Sequence, residues 1–346
     1  MEFGPVPLDE AIGGIAAHSV RLPAGVVKKG TVISRADVAL LREAGIASVV
    51  IARPGPDDVS EDEAAHRLAQ AFAGPGVRVE KPFTGRSNLF AETAGVLVVR
   101  RALVDGVNRI DEAITVATLP EWRAVVPGEM IGTVKIITFA TPATLLDKAL
   151  SQAQSGSSPA VSVAPFRPLQ VGVVSTLLPG LKPSVVRKTL TVLGERLAPA
   201  GATIVADRET PHETRALADA IASLAHGAAD LIVVFGASAI TDRRDVIPSA
   251  VVAAGGRVER FGMPVDPGNL LLLGEVAGKR VLGAPGCARS PKENGFDWVL
   301  QRLLAGLPVT GDDIAGMGVG GLLMEIVQRG QPREHGAPDT AGDGPA

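Results

Sequence analysis

Tyrosine is absent from the 346 residues, and tryptophan and phenylalanine occupy only two and nine positions. A chain this poor in rings lacks the stacking platforms on which single-strand nucleic-acid binders hold bases, and no basic groove is legible beside them. Nucleic acid is therefore not an expected partner. Cysteine is limited to Cys287, so no intramolecular disulfide can form, and no Cys/His spacing matches a zinc site. The expected compartment is reducing. Long hydrophobic runs are missing as well: no stretch approaches the roughly 18 to 20 apolar residues of a membrane span. The opening MEFGPVPLDEAIGG carries acids where a signal peptide needs a basic start. A cytoplasmic protein with no membrane partner is expected. A large charge of one sign is also lacking, the formal net charge being −3.

What is present is a globular composition, 46% hydrophobic and 21% charged. The length exceeds what one core usually serves, so two or three domains are expected. The clearest boundary is SQAQSGSSPAVSVAPFRP, residues Ser151 to Pro168, which is rich in Ser, Ala, Gly and Pro and reads as a linker. The reading is an α+β accessory or interface region over 1–150, a linker over 151–169 and an α/β domain over 170–308. A C-terminal extension over 309–330 and a mobile tail over 331–346 follow. In the first region, RLPAGVVKKGTVIS reads as two short strands around a Lys-Lys-Gly turn. Arg35 to Ala44 has apolar residues at helical spacing, with Gly45 closing the helix, and Ser48 to Ala52 reads as a strand. VLVVRRALVD, AITVATL and MIGTVKIITFA are β-branched runs that suggest a small, mostly antiparallel sheet.

From residue 170 the pattern becomes strand and helix in alternation. Val171 to Ser175, Thr203 to Asp207, Asp230 to Gly236, LLLLG and RVLGAP read as strands. Pro183 to Ala198, Pro211 to His226, Val246 to Ala254 and Ser290 to Ala305 read as helices. Apolar strands alternating with helices predict a mainly parallel sheet with helices on both faces. Ligands of such sheets bind outside the carboxyl ends of the strands.

Four loops at that edge are candidates. In DLIVVFGASAITDRRDVIPSAV a buried strand runs into Gly236, Ala237, Ser238 and Ala239, and a helix follows Asp245. Small residues let backbone approach a ligand, and the N–H groups of a helix start favour an anion, phosphate above all. The same residues would serve equally as simple caps of turn and helix. Asp242 and Asp245 beside a phosphate call for a cation, and Mg²⁺ accepts one or two carboxylates together with substrate oxygens. Arg243 and Arg244 are either phosphate contacts or solvated surface. In GAPGCARSPKENG, Pro285 and Gly286 form a turn. Ser290 is placed to cap a helix, with Pro291 next and Arg289 and Lys292 nearby. MPVDPGN supplies Asp266, Pro267 and Gly268, and Ser175 and Thr176 leave the first strand. Cys287 reads as a buried small side chain. The five histidines, His212 and His226 among them, form no metal pair and read as surface or core fillers.

Taken in order, these loops resemble the molybdopterin-binding domain shared by molybdopterin molybdenumtransferase and molybdopterin adenylyltransferase. The resemblance covers about 140 residues. GASAITDRRDVIPS is similar to the family's glycine-rich turn, which sets Asp245 on the family's functional aspartate, and Asp207 at the end of TIVAD looks like the other one. VDPGN and GAPGC resemble the loops that help to hold pterin and phosphate. VPLDEAIGGI and the stretch LPAGVVKKGTVISRADVALLREAGIASVVI look like the extended segments of molybdenumtransferase-type proteins. The resemblance implies binding of molybdopterin or molybdenum cofactor, with Mg²⁺. It implies catalytic roles for Asp207 and Asp245 in molybdenum insertion or adenylyl transfer, with molybdate or ATP as further partners. A homo-oligomer is also implied.

The chain departs from the family pattern at identifiable places. Its accessory region lacks a Ser-Ala-Met-Asp-Gly-Tyr-Ala segment, Leu177 and Leu178 stand where an acid-bearing loop is usual, and Asp266 and Cys287 replace Lys and Asn. These departures leave a second reading open, a non-catalytic carrier or sensor that delivers cofactor to a molybdoenzyme or cofactor-modifying partner. An unrelated nucleotide-binding α/β protein is a third.

Overall fold

The computed structural model describes residues 1–23 and 25–323. The tail expected at 331–346, and the last residues of the 309–330 extension, lie outside the described residues. The chain divides into two compact units. One comprises Met1–Pro168, Ala198–Ala202 and Leu300–Pro308; the other comprises Leu169–Leu197, Thr203–Val299 and the residues from Val309 on.

The first unit is built from antiparallel ladders. Glu2–Pro7 and Ile15–Ala16 flank Ser48–Arg53, and the helix Arg35–Glu43 closes a small core through Val38 and Leu41. That helix starts on a reciprocal cap between Ser34 and Asp37 and ends before Gly45, whose φ of 75° suits glycine. The strands Val20–Leu22 and Gly25–Val27 pair directly, so Lys28–Gly30 is a separate turn after the hairpin and not its tip. A larger core lies farther along. There Ile114–Thr118, Met130–Ile136, Arg86–Ala91 and Val77–Val79 form a four-stranded sheet, packed with Leu68 and Phe72 from the helix Glu61–Phe72. The β-branched run VLVVRRALVD proves to be two elements: the strand Gly95–Val99, then the helix Arg101–Asn108. In that helix Leu103, Val104 and Val107 fall at helical spacing and are buried.

The expected linker is also structured. Its first residues end the helix Ala143–Ala153, and Val161–Pro165 is a strand against Gly95–Val99. Small residues and prolines hid the alternation of Val161 and Val163, both buried.

The second unit contains β1 (Gln170–Leu177), α1 (Pro183–Leu197), β2 (Thr203–Pro211), α2 (Thr214–His226) and β3 (Leu231–Phe235). After these come α3 (Val246–Ala253), β4 (Arg257–Phe261), β5 (Leu272–Val276), β6 (Lys279–Ala284) and α4 (Gly295–Leu304), of which the residues to Val299 belong to this unit. The six strands form one sheet in the order β2-β1-β3-β6-β5-β4. β1 runs parallel to β2 and β3, and β3 parallel to β6, but β5 is antiparallel to both of its neighbours. The α/β reading holds, while the expected mainly parallel sheet is a mixed one, and antiparallel ladders prevail in the chain as described. The reason is local. Only Ala277 and Gly278 separate β5 from β6, both at positive φ, and a two-residue reversal makes a hairpin, whereas a parallel crossover needs a dozen residues or more.

Alternation along β3 explains why it is apolar throughout. Ile232 and Val234 join Leu217 and Ile221 of α2 and Ile247 of α3 in one cluster. Val233 and Phe235 point to the opposite face, where the Phe235 ring lies 6.5 Å from that of Phe296 in α4. Each fully buried side chain of this kind contributes about 1.5–3 kcal/mol.

Candidate functional site

β1, β3 and β6 are parallel, so their carboxyl ends share one edge of the sheet. Leu272 pairs with Gly283 near the end of β6, so the connection between β4 and β5, residues 262–271, opens on the same edge. The candidate loops after β1, β3, β4 and β6 therefore emerge together, at the place where open α/β sheets bind ligands.

Direct contacts knit three of these strand ends. The Ala237 N–H donates to Thr176 Oγ1 at 2.8 Å, and the same hydroxyl lies 2.8 Å from Nδ1 of His212, the residue following β2. Thr176 and Ser175 are both buried. Arg289 reaches back from the turn after β6: it donates to the Gly236 carbonyl at 2.8 Å and to Thr189 Oγ1 of α1 at 2.9 Å. Its guanidinium lies 5.4 Å from the centre of the Phe235 ring, and burial pushes its pKa below the ordinary value.

Gly236 is required by close approach. A Cβ there would come 2.7 Å from the Ser238 carbonyl oxygen and from Ile247 Cδ1. The turn then exposes Ser238. The acids beyond it have structural duties. Asp245 is the N-cap of α3, with one carboxylate oxygen accepting from the Val246 N–H at 2.8 Å and the other from the Thr241 N–H at 3.1 Å. Asp242 is exposed and accepts from the backbone and side chain of Arg244, both at 2.8 Å. The Arg244 side chain is the main cause that lowers its pKa to about 2. Among the described residues no group of three or more His, Cys, Asp or Glu is placed to hold a metal ion. Asp242 and Asp245, expected as a Mg²⁺ pair, thus stand in an ion pair and a helix cap.

The remaining candidates divide. Asp266 donates its N–H to the Gly321 carbonyl, and the Pro267 carbonyl accepts from the Gly295 N–H at 2.9 Å. Gly268 has φ of 143° and is buried so closely against Gly295 that a Cβ would meet its backbone nitrogen at 2.8 Å. This loop secures the start of α4. Pro285 is buried and Gly286 is open, with no atom within 4 Å of where its Cβ would be. Ser290 does not cap the closing helix as expected. Ser290 instead ends a short 3-10 turn, Gly286–Arg289, and the helix starts only at Gly295, where the Asn294 side chain accepts from the Phe296 N–H. Its Asp297 in turn accepts from the Asn294 N–H at 2.8 Å. Cys287 is half-buried, and burial raises its thiol pKa.

Asp207 is not at the edge. β2 continues four residues past it to Pro211, so Asp207 lies within an edge strand, opposite Val173, and is exposed. Two residues that matter to this edge carried little sequence signal: His212 and Arg196. His212 follows Pro211, which reads as a helix start, so the histidine appeared to lie on a helix and not at a strand end. Arg196 lies on α1 and contacts the loop of residues 288–292 and Asp297 through long-range hydrogen bonds.

Comparison with known proteins adds little to this geometry. A family model described as a domain of unknown function (DUF8806) matches residues 5–53. No curated protein matches. Among solved structures, the chain is similar to a molybdopterin biosynthesis MoeA protein from Pyrococcus horikosii, with 15% identity and a TM-score of 0.30 over 88% of this chain and 75% of that one. It is also similar to the molybdopterin biosynthesis enzyme MoaB of Thermus thermophilus, with 17% identity and a TM-score of 0.28 over 40% and 98%. The CinA protein of Thermoplasma acidophilum gives 19% identity and a TM-score of 0.25 over 36% and 90%. At such scores the functional argument rests on the chain itself.

Proposed function

We propose that the second unit binds a phosphorylated pterin, molybdopterin or the molybdenum cofactor, at the carboxyl edge of its sheet, and serves molybdenum-cofactor synthesis or delivery. The observation that carries this reading is the joining of the turn after β3 to its neighbours, by Thr176 on one side and by Arg289 on the other. A glycine-bearing turn held in this way fixes the exposed Ser238 and Ala239 at the sheet edge, where small residues let a phosphate approach the backbone. The pterin identity comes from the order of the loop motifs.

Binding without turnover is the form favoured by the acids. Asp242 is paired with Arg244 and Asp245 caps α3, while Asp207 is within a strand. No transfer step is assigned to them. The protein, incubated with molybdopterin, MgATP and molybdate, is expected to retain pterin by native mass spectrometry without adenylylation or molybdenum incorporation. Turnover would restore the transferase reading. Absence of any pterin mass shift would remove the binding reading itself, and a shift with free nucleotide alone would favour an unrelated nucleotide-binding protein.

A further inference from the structure

The first unit leaves a cavity of about 230 Å³ between the hairpin of Val20–Leu22 with Gly25–Val27 and the helix Arg35–Glu43. Val20 and Val27 are direct cross-strand partners, so both face one side of the hairpin, and they line the cavity together with Ile33 and Leu41. Protein interiors hold few voids larger than a water, and an apolar cavity of roughly 150 Å³ takes up benzene. Packing alone therefore does not account for this space. The hairpin that walls it is a two-stranded ladder on its own among the described residues, so it yields to an entering molecule more readily than a strand inside a sheet. The polar residues of the lining are His18 and Ser48, both exposed, and they mark the mouth. An aliphatic body inside, with one polar end at the mouth, matches this lining. Nearby charges select the sign of that end. From Ala11 to Ala36 the chain carries Arg21, Lys28, Lys29 and Arg35 and no acid. Of the acids that flank this stretch, Asp37 holds Ser34 and Asp9 pairs with Arg42. A carboxylate is attracted there and an ammonium repelled.

We propose that this cavity binds a short-chain aliphatic monocarboxylate. Its chain lies against Val20, Val27, Ile33 and Leu41, and its carboxylate sits at the mouth, where the His18 imidazole and the Ser48 hydroxyl donate to it. The site does not rest on the pterin reading above.

The test follows the methyl NMR signals of Val, Leu and Ile in the full chain during titration with butanoate, hexanoate and hexylamine. Hexanoate is expected to shift the methyls of Val20, Val27, Ile33 and Leu41 saturably. It should bind about fifteen-fold more tightly than butanoate, about fourfold for each methylene added. Hexylamine, with the same chain and the opposite charge, should bind more weakly than hexanoate. His18→Ala removes one donor to the carboxylate and is expected to weaken hexanoate about tenfold. Ala16→Val and Val20→Phe each put carbon into the cavity, and should hold or raise the Tm while abolishing hexanoate binding. If one of these two fails to fold, the other carries the test. Unchanged hexanoate affinity in His18→Ala, or hexylamine binding as tightly as hexanoate, overturns the carboxylate assignment. Unchanged affinity in a folded cavity-filling variant, or wild-type shifts that do not saturate or fall on other methyls, overturns the site.

Discussion

Arg196 of α1 and Asp297 of α4 meet at 2.5 Å, with only 10% and 9% of their side chains exposed. The guanidinium also donates to the carbonyls of Ala288 and Ser290, and Asp297 holds the Asn294 N–H. One arginine thus holds the chain that carries the Gly286–Arg289 turn. Removing one partner of a buried pair leaves the other charge without compensation, which costs about 3–5 kcal/mol. Asp297→Ala is expected to lose that much in urea unfolding. A loss within error of zero would mean that the pair is not buried in solution.

Asp245 offers a clean separation of roles. As a cap it can be replaced by asparagine, whose single amide oxygen still accepts from one of the Val246 and Thr241 N–H groups, whereas alanine removes both bonds and is expected to cost about 0.5–2 kcal/mol. Asp245→Asn should therefore unfold between alanine and wild type and retain pterin. If asparagine abolishes binding and alanine does no more, the carboxylate charge is functional and the cap assignment is insufficient.

The sequence was most legible where a single period governs an element. α1, α3 and β3 fall within a residue or two of their expected bounds, because helical spacing or an unbroken apolar run admits one reading. Three failures have different causes. β4, RVERF, was not read at all, since its charged residues obscure the strand; Arg257 and Glu259 belong to an ion-pair network with Glu275 and Arg280. Helix Arg101–Asn108 was masked by the β-branched residues that also serve its buried face. The site was legible as a set of loops but not as contacts. Nothing local to Arg289 or His212 says that one reaches Gly236 and the other Thr176, because sheet order alone brings them together.

Glu61 gives the first unit a pH dependence with a definite sign. Burial is the main cause that raises its pKa above 4.5, and the attraction of Lys135, 3.6 Å away, does not cancel it. A carboxyl whose folded pKa is raised contributes stability that is fully present below the unfolded pKa and is lost as pH rises through the folded one. Glu61→Gln is expected to raise the Tm at pH 7 relative to the Tm at pH 4. An identical pH profile in wild type and variant would count against a raised Glu61.

Asp242 titrates in the opposite sense. The Arg244 hydrogen bonds hold its pKa at about 2, against an ordinary 3.8, so its contribution is present above the ordinary value and is lost as pH falls through about 2. Solvent surrounds the pair, and the effect on global stability should be small. Carboxyl-carbon NMR should nevertheless give a midpoint near 2. A midpoint at the ordinary value would show the pair to be open, and its carboxylate free for another partner.

Arg289 separates architecture from binding. Methionine at this position keeps much of the apolar contact with Phe235 but removes the donors to Gly236 and Thr189. Thr189 keeps its own bond to the Val185 carbonyl, so the part-buried Gly236 carbonyl bears most of the loss, about 1 kcal/mol. Lysine carries the charge without the planar fork and cannot reproduce both bonds. Both variants are expected to melt lower than wild type and to bind molybdopterin more weakly. Supplying ligand should raise the Tm of each by less than it raises that of wild type. Equal ligand-induced shifts would show that the tie between the two turns serves folding alone, and the phosphate would then have to be held by the remaining strand ends.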